Sequence, residues 1–119
     1  MNSEIILGYG GGSEPIKIGT PFIIGSIEVS GTVYPVYRKI VDCGALPNAT
    51  YNDVPANINP NGVLQLFGIA TRNGAVLPLP YIDNGNASVK LQINSLNNIR
   101  LTTFQDMSTY NALVTIDYY

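Results

Sequence analysis

The chain has 119 residues, 45% hydrophobic and only 12% charged, with a formal net charge of -2. That length suits one domain with a single core. The six Lys and Arg are scattered at 17, 38, 39, 72, 90 and 100, which argues against a nucleic-acid partner.

No run of about 18 apolar residues offers a membrane span. The N-terminus reads as lacking a secretory signal. One cysteine makes no internal disulfide, so a reducing, cytosolic compartment is the expected place of folding. So little charge on a small domain also predicts that other chains cover part of its surface.

In chain order, residues 1–21 read as a flexible leader or attachment segment. The apolar Ile5-Ile6-Leu7 is followed by the joint Gly8-Tyr9-Gly10-Gly11-Gly12-Ser13. These glycines loosely resemble a phosphate loop, but such a loop needs a strand before it and a helix after it, and Ser13-Glu14-Pro15 opens no helical period. Residues 22–119 then read as one domain built of strands. FIIGSIEV (22–29) and TVYPVYRKIVD (32–42) flank Ser30-Gly31, a two-residue hairpin turn. GVLQLFGIATR (62–72) and AVLPLPYI (75–82) flank Asn73-Gly74, the strongest short hairpin signal. ASVKLQIN (87–94) alternates cleanly, SLNN (95–98) turns the chain into NIRLTTF (98–104), and ALVTIDYY (112–119) closes it. No segment keeps a helical period. Thirteen Asn, twelve Gly and eight Pro supply turns, and Pro35, Pro78 and Pro80 fit only edges or bulges of strands. The predicted fold is all-β, an antiparallel, jelly-roll-like β-sandwich of about seven or eight strands.

Two strands lack the wet face of a simple sandwich. One places Val36, Arg38, Ile40 and Asp42 opposite Tyr37, Lys39, Val41 and Cys43; the other is apolar on both faces. Val36, Arg38, Ile40, Leu64 and Leu66 are therefore the expected oligomer interface.

Chemistry is thinly represented. Without histidine there is no Ser-His-Asp or Cys-His set and no His-ligated zinc, and a lone cysteine builds no thiolate site. Asp42-Cys43-Gly44-Ala45 resembles the D-T-G-A turn of retroviral-type aspartic proteases, where two subunits share a proton between paired aspartates. In that motif the residue after the aspartate is Thr or Ser. Here it is cysteine, a poor hydrogen-bond donor. Cys43 itself reads as a packed thiol. Asp83-Asn84-Gly85-Asn86 is a polar turn with too few acidic ligands for calcium. No cofactor, metal or catalytic residue is expected. Eight Tyr among many Asn, Ser and Thr suit an adaptable recognition surface. Tyrosine offers an apolar face to a sugar ring, so Tyr51, Tyr81 and Tyr110, with Asp83 and Arg72 as hydrogen-bonding neighbours, are the candidate glycan-binding residues. The plainer reading is that tyrosine is a good strand residue.

Four ordered blocks carry a resemblance: YRKIVDCGALPN (37–48), VLQLFGIATRNG (63–74), LPLPY (77–81) and DMSTYNALVTIDY (106–118). They resemble the C-terminal head or appendage module of tailed-bacteriophage virion proteins of tail-fibre, baseplate or head-fibre type, especially in phages of Firmicutes and related gut bacteria. The likeness covers residues 27–119. It implies a compact β-sandwich on a virion, commonly trimeric, that contacts host surface or neighbouring virion proteins. Cys43 stands where the family usually has an aromatic residue or Thr. The short leader departs from the long fibre of many relatives, which favours a small appendage, decoration or head-fibre protein, or a piece of something larger.

The expected function is that of a non-enzymatic virion structural protein, made in the bacterial cytoplasm. It self-associates as a homotrimer, binds other virion proteins through residues 1–15 and contacts bacterial cell-wall polysaccharide. The alternatives are a capsid or tail decoration protein with no ligand and, remotely, the protease.

Overall fold

The computed structural model describes residues 14–119, so most of the leader, including all of the attachment segment 1–15 except Glu14 and Pro15, lies outside the described residues. Among the described residues there are eight strands and no helix. They are β1 (Phe22–Val29), β2 (Thr32–Ala45), β3 (Tyr51–Pro55), β4 (Val63–Arg72), β5 (Ala75–Leu79), β6 (Val89–Ile93), β7 (Asn98–Thr103) and β8 (Asn111–Tyr118). All pairings are antiparallel, in a five-stranded sheet β1-β2-β8-β4-β5 and a three-stranded sheet β3-β7-β6. Among the described residues no helix is long and apolar enough to cross a membrane.

Turn chemistry sets the hairpins. Ser30 and Gly31 have φ of 51° and 84°, and Asn73 and Gly74 have 44° and 85°. Two consecutive positive φ values match the right-handed twist of the flanking strands. The β6–β7 turn is held by Asn94, whose Oδ1 accepts from Leu96 N at 3.0 Å and Asn98 N at 3.1 Å. Pro78 lies on β5, an edge strand, and Pro35 lies in the part of β2 that β8 does not reach, so neither deprives a ladder of a donor.

Long-range pairing is nested: β2 lies beside β8 and β3 beside β7. A jelly roll shares this nesting, whereas the β4–β5 and β6–β7 pairs are plain hairpins. At the corner between the sheets, two of the sequence blocks face one another. Leu46 N donates to Tyr110 O (2.9 Å), Ala49 N to Gln105 O (3.0 Å) and Thr103 N to Thr50 O (2.8 Å). Pro47 O accepts from Thr103 Oγ1 at 2.7 Å, and Asn48 bridges Asp106. Leu46 and Met107 are buried beneath them.

The core fills the space between the sheets. Ala112, Val114, Ile116 and Tyr118 of β8 pack with Val41, Ala70 and Leu79, against Val89, Ile99 and Leu101 of the smaller sheet. Lys39 is also buried here, and its Nζ donates to the carbonyls of Ala56 (2.7 Å) and Asn57 (3.3 Å). It ties β2 to the β3–β4 connection, since a buried ammonium needs acceptors in place of lost water.

Strand β3 and the end of β2 differ from the sequence pattern. YNDVP is too short and too polar to announce itself as a strand, and it forms because β7 offers a free edge. β2 continues past Asp42 to Ala45 through a register shift between Asp42 and Gly44, with Gly44 at φ 69°.

A candidate ligand-binding face

The inward positions of the three-stranded sheet are taken by core residues, so the intervening positions face outward. Register places Tyr51, Thr102 and Lys90 in one outward row across β3, β7 and β6. Asp53, Arg100 and Gln92 form the next row. The Arg100 guanidinium donates to both Asp53 oxygens, at 2.7 and 2.9 Å, and its Cζ lies 4.1 Å from the centre of the Tyr51 ring. Asp53 thus holds Arg100 over the Tyr51 ring. Tyr51 keeps 52% of its surface exposed.

Hydrogen bonds from Arg100 lower the Asp53 pKa, and the exposed pair titrates in water. Because the folded pKa is depressed, the pairing is present above the ordinary carboxylate range near 3.8 and is lost as pH falls through the lower folded value. The Tyr51 platform is therefore set at neutral and mildly acidic pH.

A depression of about 520 Å³ borders this face, lined by Pro80, Tyr81, Ile82, Lys90, Gln92 and Phe104, among others. Tyr81 is fixed by two backbone bonds to Val89, N to O at 3.1 Å and O to N at 2.9 Å. Phe104 is 48% exposed, with Lys90 Nζ 5.9 Å from its ring centre. No carboxylate of the described residues forms a salt bridge with Lys90. The combined surface offers exposed aromatic rings, one free ammonium, a guanidinium and amide and hydroxyl groups. Such a set can stack on a sugar ring and hydrogen-bond its hydroxyls.

The five glycan candidates fall in separate places. Tyr51 is on the sheet face and Tyr81 lines the depression. Asp83 stands in the turn that follows, its Oδ2 accepting from Gly85 N at 2.9 Å. Arg72 and Tyr110 pair with one another instead, the Arg72 Cζ lying 4.6 Å from the ring centre. Tyr110 is buried in the core cluster. Asp53, Lys90, Gln92, Arg100 and Phe104 were absent from the sequence-based set. The outward phase of β6 and β7 was visible in the alternation, but β3, which brings Tyr51 and Asp53 beside it, was not.

The expected interface residues divide as well. Arg38 lies opposite Asp117 and Ile40 opposite Thr115, on the outer face of the larger sheet, with Val36 in the same phase. Leu66 lies opposite Ile116 and packs against the core, and the exposed Leu64 sits at a register shift between Val63 and Gln65. Leu66 is therefore on the other side of the sheet from Arg38.

Asp42 does not pair with Arg38 or Lys39 within the chain, as its charge alone would suggest. Its Oδ1 accepts from Gly44 N at 2.9 Å and stabilises the bulge. Among the described residues no group of three or more His, Cys, Asp or Glu is placed to hold a metal ion. Cys43 packs beside the core. Burial, and secondarily the Asp42 charge, push its thiol up to about 11. With the folded pKa above the unfolded one, Cys43 contributes stability in full below about pH 9, and loses it as pH rises through about 11. At pH 8 an aromatic disulfide reagent should react on the order of 10- to 100-fold more slowly with the folded chain than with the chain in urea. Equal rates would contradict a packed thiol.

Searches of family models, of curated proteins and of solved structures find no match to the chain.

Proposed function

We propose that this protein is a non-enzymatic bacteriophage virion module, a fibre-tip or appendage domain that self-associates and binds cell-surface polysaccharide of its bacterial host. The observation that carries the binding half is the outward row of Tyr51, Thr102 and Lys90 with Arg100 clamped by Asp53. A rigid aromatic platform beside charged and amide groups suits weak glycan contacts. Many copies on one particle raise such contacts to useful avidity through effective concentration. The virion setting rests on the four sequence blocks.

Self-association, as a homotrimer, is supported by the apolar outer face of the five-stranded sheet, where Phe67, Ile69 and Val76 are exposed. The same face supports a second reading, a capsid or tail decoration protein that binds neighbours and no glycan. An array of bacterial surface polysaccharides separates them. The full chain should bind a subset of them, and Tyr51→Ala should weaken that binding at least tenfold with the melting temperature unchanged. Absence of all glycan binding, together with tight binding to a capsid or tail protein, would replace the first reading by the second.

A further inference from the structure

The β1–β2 hairpin runs beyond the sandwich. β8 pairs with β2 from Tyr37 to Ala45, which leaves Thr32–Val36 and their β1 partners Gly25–Val29 as a two-stranded ribbon. β1 packs substantially on β2 alone. The molecule is correspondingly long, 46 × 33 × 24 Å, with a radius of gyration of 15.9 Å against about 13 Å for a compact chain of this length. A lone two-stranded ribbon is marginal in water. This one nonetheless exposes Ile23, Ile24 and Val33 at its base and along its length, and Glu28 is the single charge in 22–36.

A fitting receptor surface exists in the same chain. On the outer face of the large sheet, register sets Ile69 beside Leu113 and Pro78, Phe67 beside Thr115, and Val76 beside Thr71. The charges of the adjoining row, Arg38 and Asp117, are paired with each other, so this patch needs no charged partner. The ribbon cannot fold onto that patch of its own subunit. Both belong to one continuous sheet, and β2 runs through ribbon and sheet alike.

We propose that the ribbon is an arm that docks on a second copy of this chain, with Ile23, Ile24 and Val33 of one copy against Phe67, Ile69 and Val76 of the next. The proposal rests on the reading that the chain self-associates. Edge-to-edge pairing of β1 is disfavoured, because the register shift between Ile23 and Gly25 interrupts the free ladder. The ribbon is five residue pairs, about 17 Å long and about 10 Å wide, so one arm on one patch buries well under the roughly 800 Å² per partner of a standard interface, and each copy adds to this by both giving an arm and receiving one. Arm and patch are different surfaces, so the contacts close either reciprocally between two copies or head-to-tail into a ring such as a trimer.

Light scattering after gel filtration of the full chain tests this. Wild type should run as a closed oligomer, and Val33→Glu and Val76→Glu should each run as monomers with unchanged circular dichroism. An equimolar mixture of the two variants should give one-to-one heterodimers, since only one intact arm meets one intact patch. A mixture that stays monomeric overturns the arm-to-patch contact. Variants that keep the wild-type mass overturn the arm while leaving self-association standing. A monomeric wild type overturns self-association itself. Ile24→Glu replaces Val33→Glu if that variant misfolds, with the same three outcomes.

Discussion

Replacing Asp117 by alanine is expected to cost the fold about 3 kcal/mol, the cost of breaking a buried ion pair from one side. For a domain of this size that lowers the melting temperature by about 12 °C at fixed protein concentration. Asp117 is 2% exposed and receives Arg38 Nε at 2.7 Å and the terminal Arg38 nitrogen at 2.8 Å, in the row between β2 and β8. The hydrogen bond to Asp117 raises the Arg38 pKa against the opposing effect of burial. Arg38 is 33% exposed, so part of its charge can be rehydrated once the carboxylate is gone, and the cost stays at the low end of the range for such pairs. The double replacement Arg38→Met with Asp117→Leu should recover most of the loss, because removing both charges leaves nothing unpaired. A drop of less than 2 °C for Asp117→Ala would mean that water already solvates the pair.

A single methyl at Gly68 should do comparable harm. A Cβ there would lie 2.4 Å from Leu113 O and 3.1 Å from Val114 Cα, both backbone atoms of the central strand β8. Neither atom can rotate away, so β4 must shift against β8 or the ladder between them must open. Overpacking against backbone costs about 3 kcal/mol. Gly25→Ala is the control, since a Cβ there meets nothing within 4 Å and the φ is not in the left-handed region. It should change stability by no more than about 0.5 kcal/mol. Thermal melts of the two variants side by side decide the matter. Equal melting temperatures would mean that β4 and β8 are farther apart than described.

Gly68 and Ala70 are also where sequence and structure meet most directly. Ala70 is fully buried opposite Ala112, so the Gly-Ile-Ala of this strand records a close approach of backbones with no space for larger side chains. The hairpins were legible because Ser-Gly and Asn-Gly have few other uses between alternating strands. The β6 alternation was legible because five residues suffice to separate Val89, Leu91 and Ile93 from Lys90 and Gln92.

Long-range information was harder to read. Asp42 resembled part of a protease turn, yet its partner is the local Gly44 amide of a bulge, while Arg38 found its acid nearly eighty residues away in Asp117. The candidate face suffered most. Tyr51 was visible as a tyrosine near a loop, but Asp53 and Arg100 acquire meaning only when β3 lies beside β7. A five-residue polar strand has no period that would announce it.

The central claim is that ligand is bound on the outer face of the three-stranded sheet. Amide chemical-shift mapping on the labelled full chain, titrated with the best-binding bacterial polysaccharide from the array, tests it most directly. Shifts should concentrate on Tyr51, Lys90, Gln92, Arg100, Thr102 and Phe104. Shifts centred on Arg72 and Tyr110, or on the Phe67–Ile69 face of the larger sheet, would contradict it.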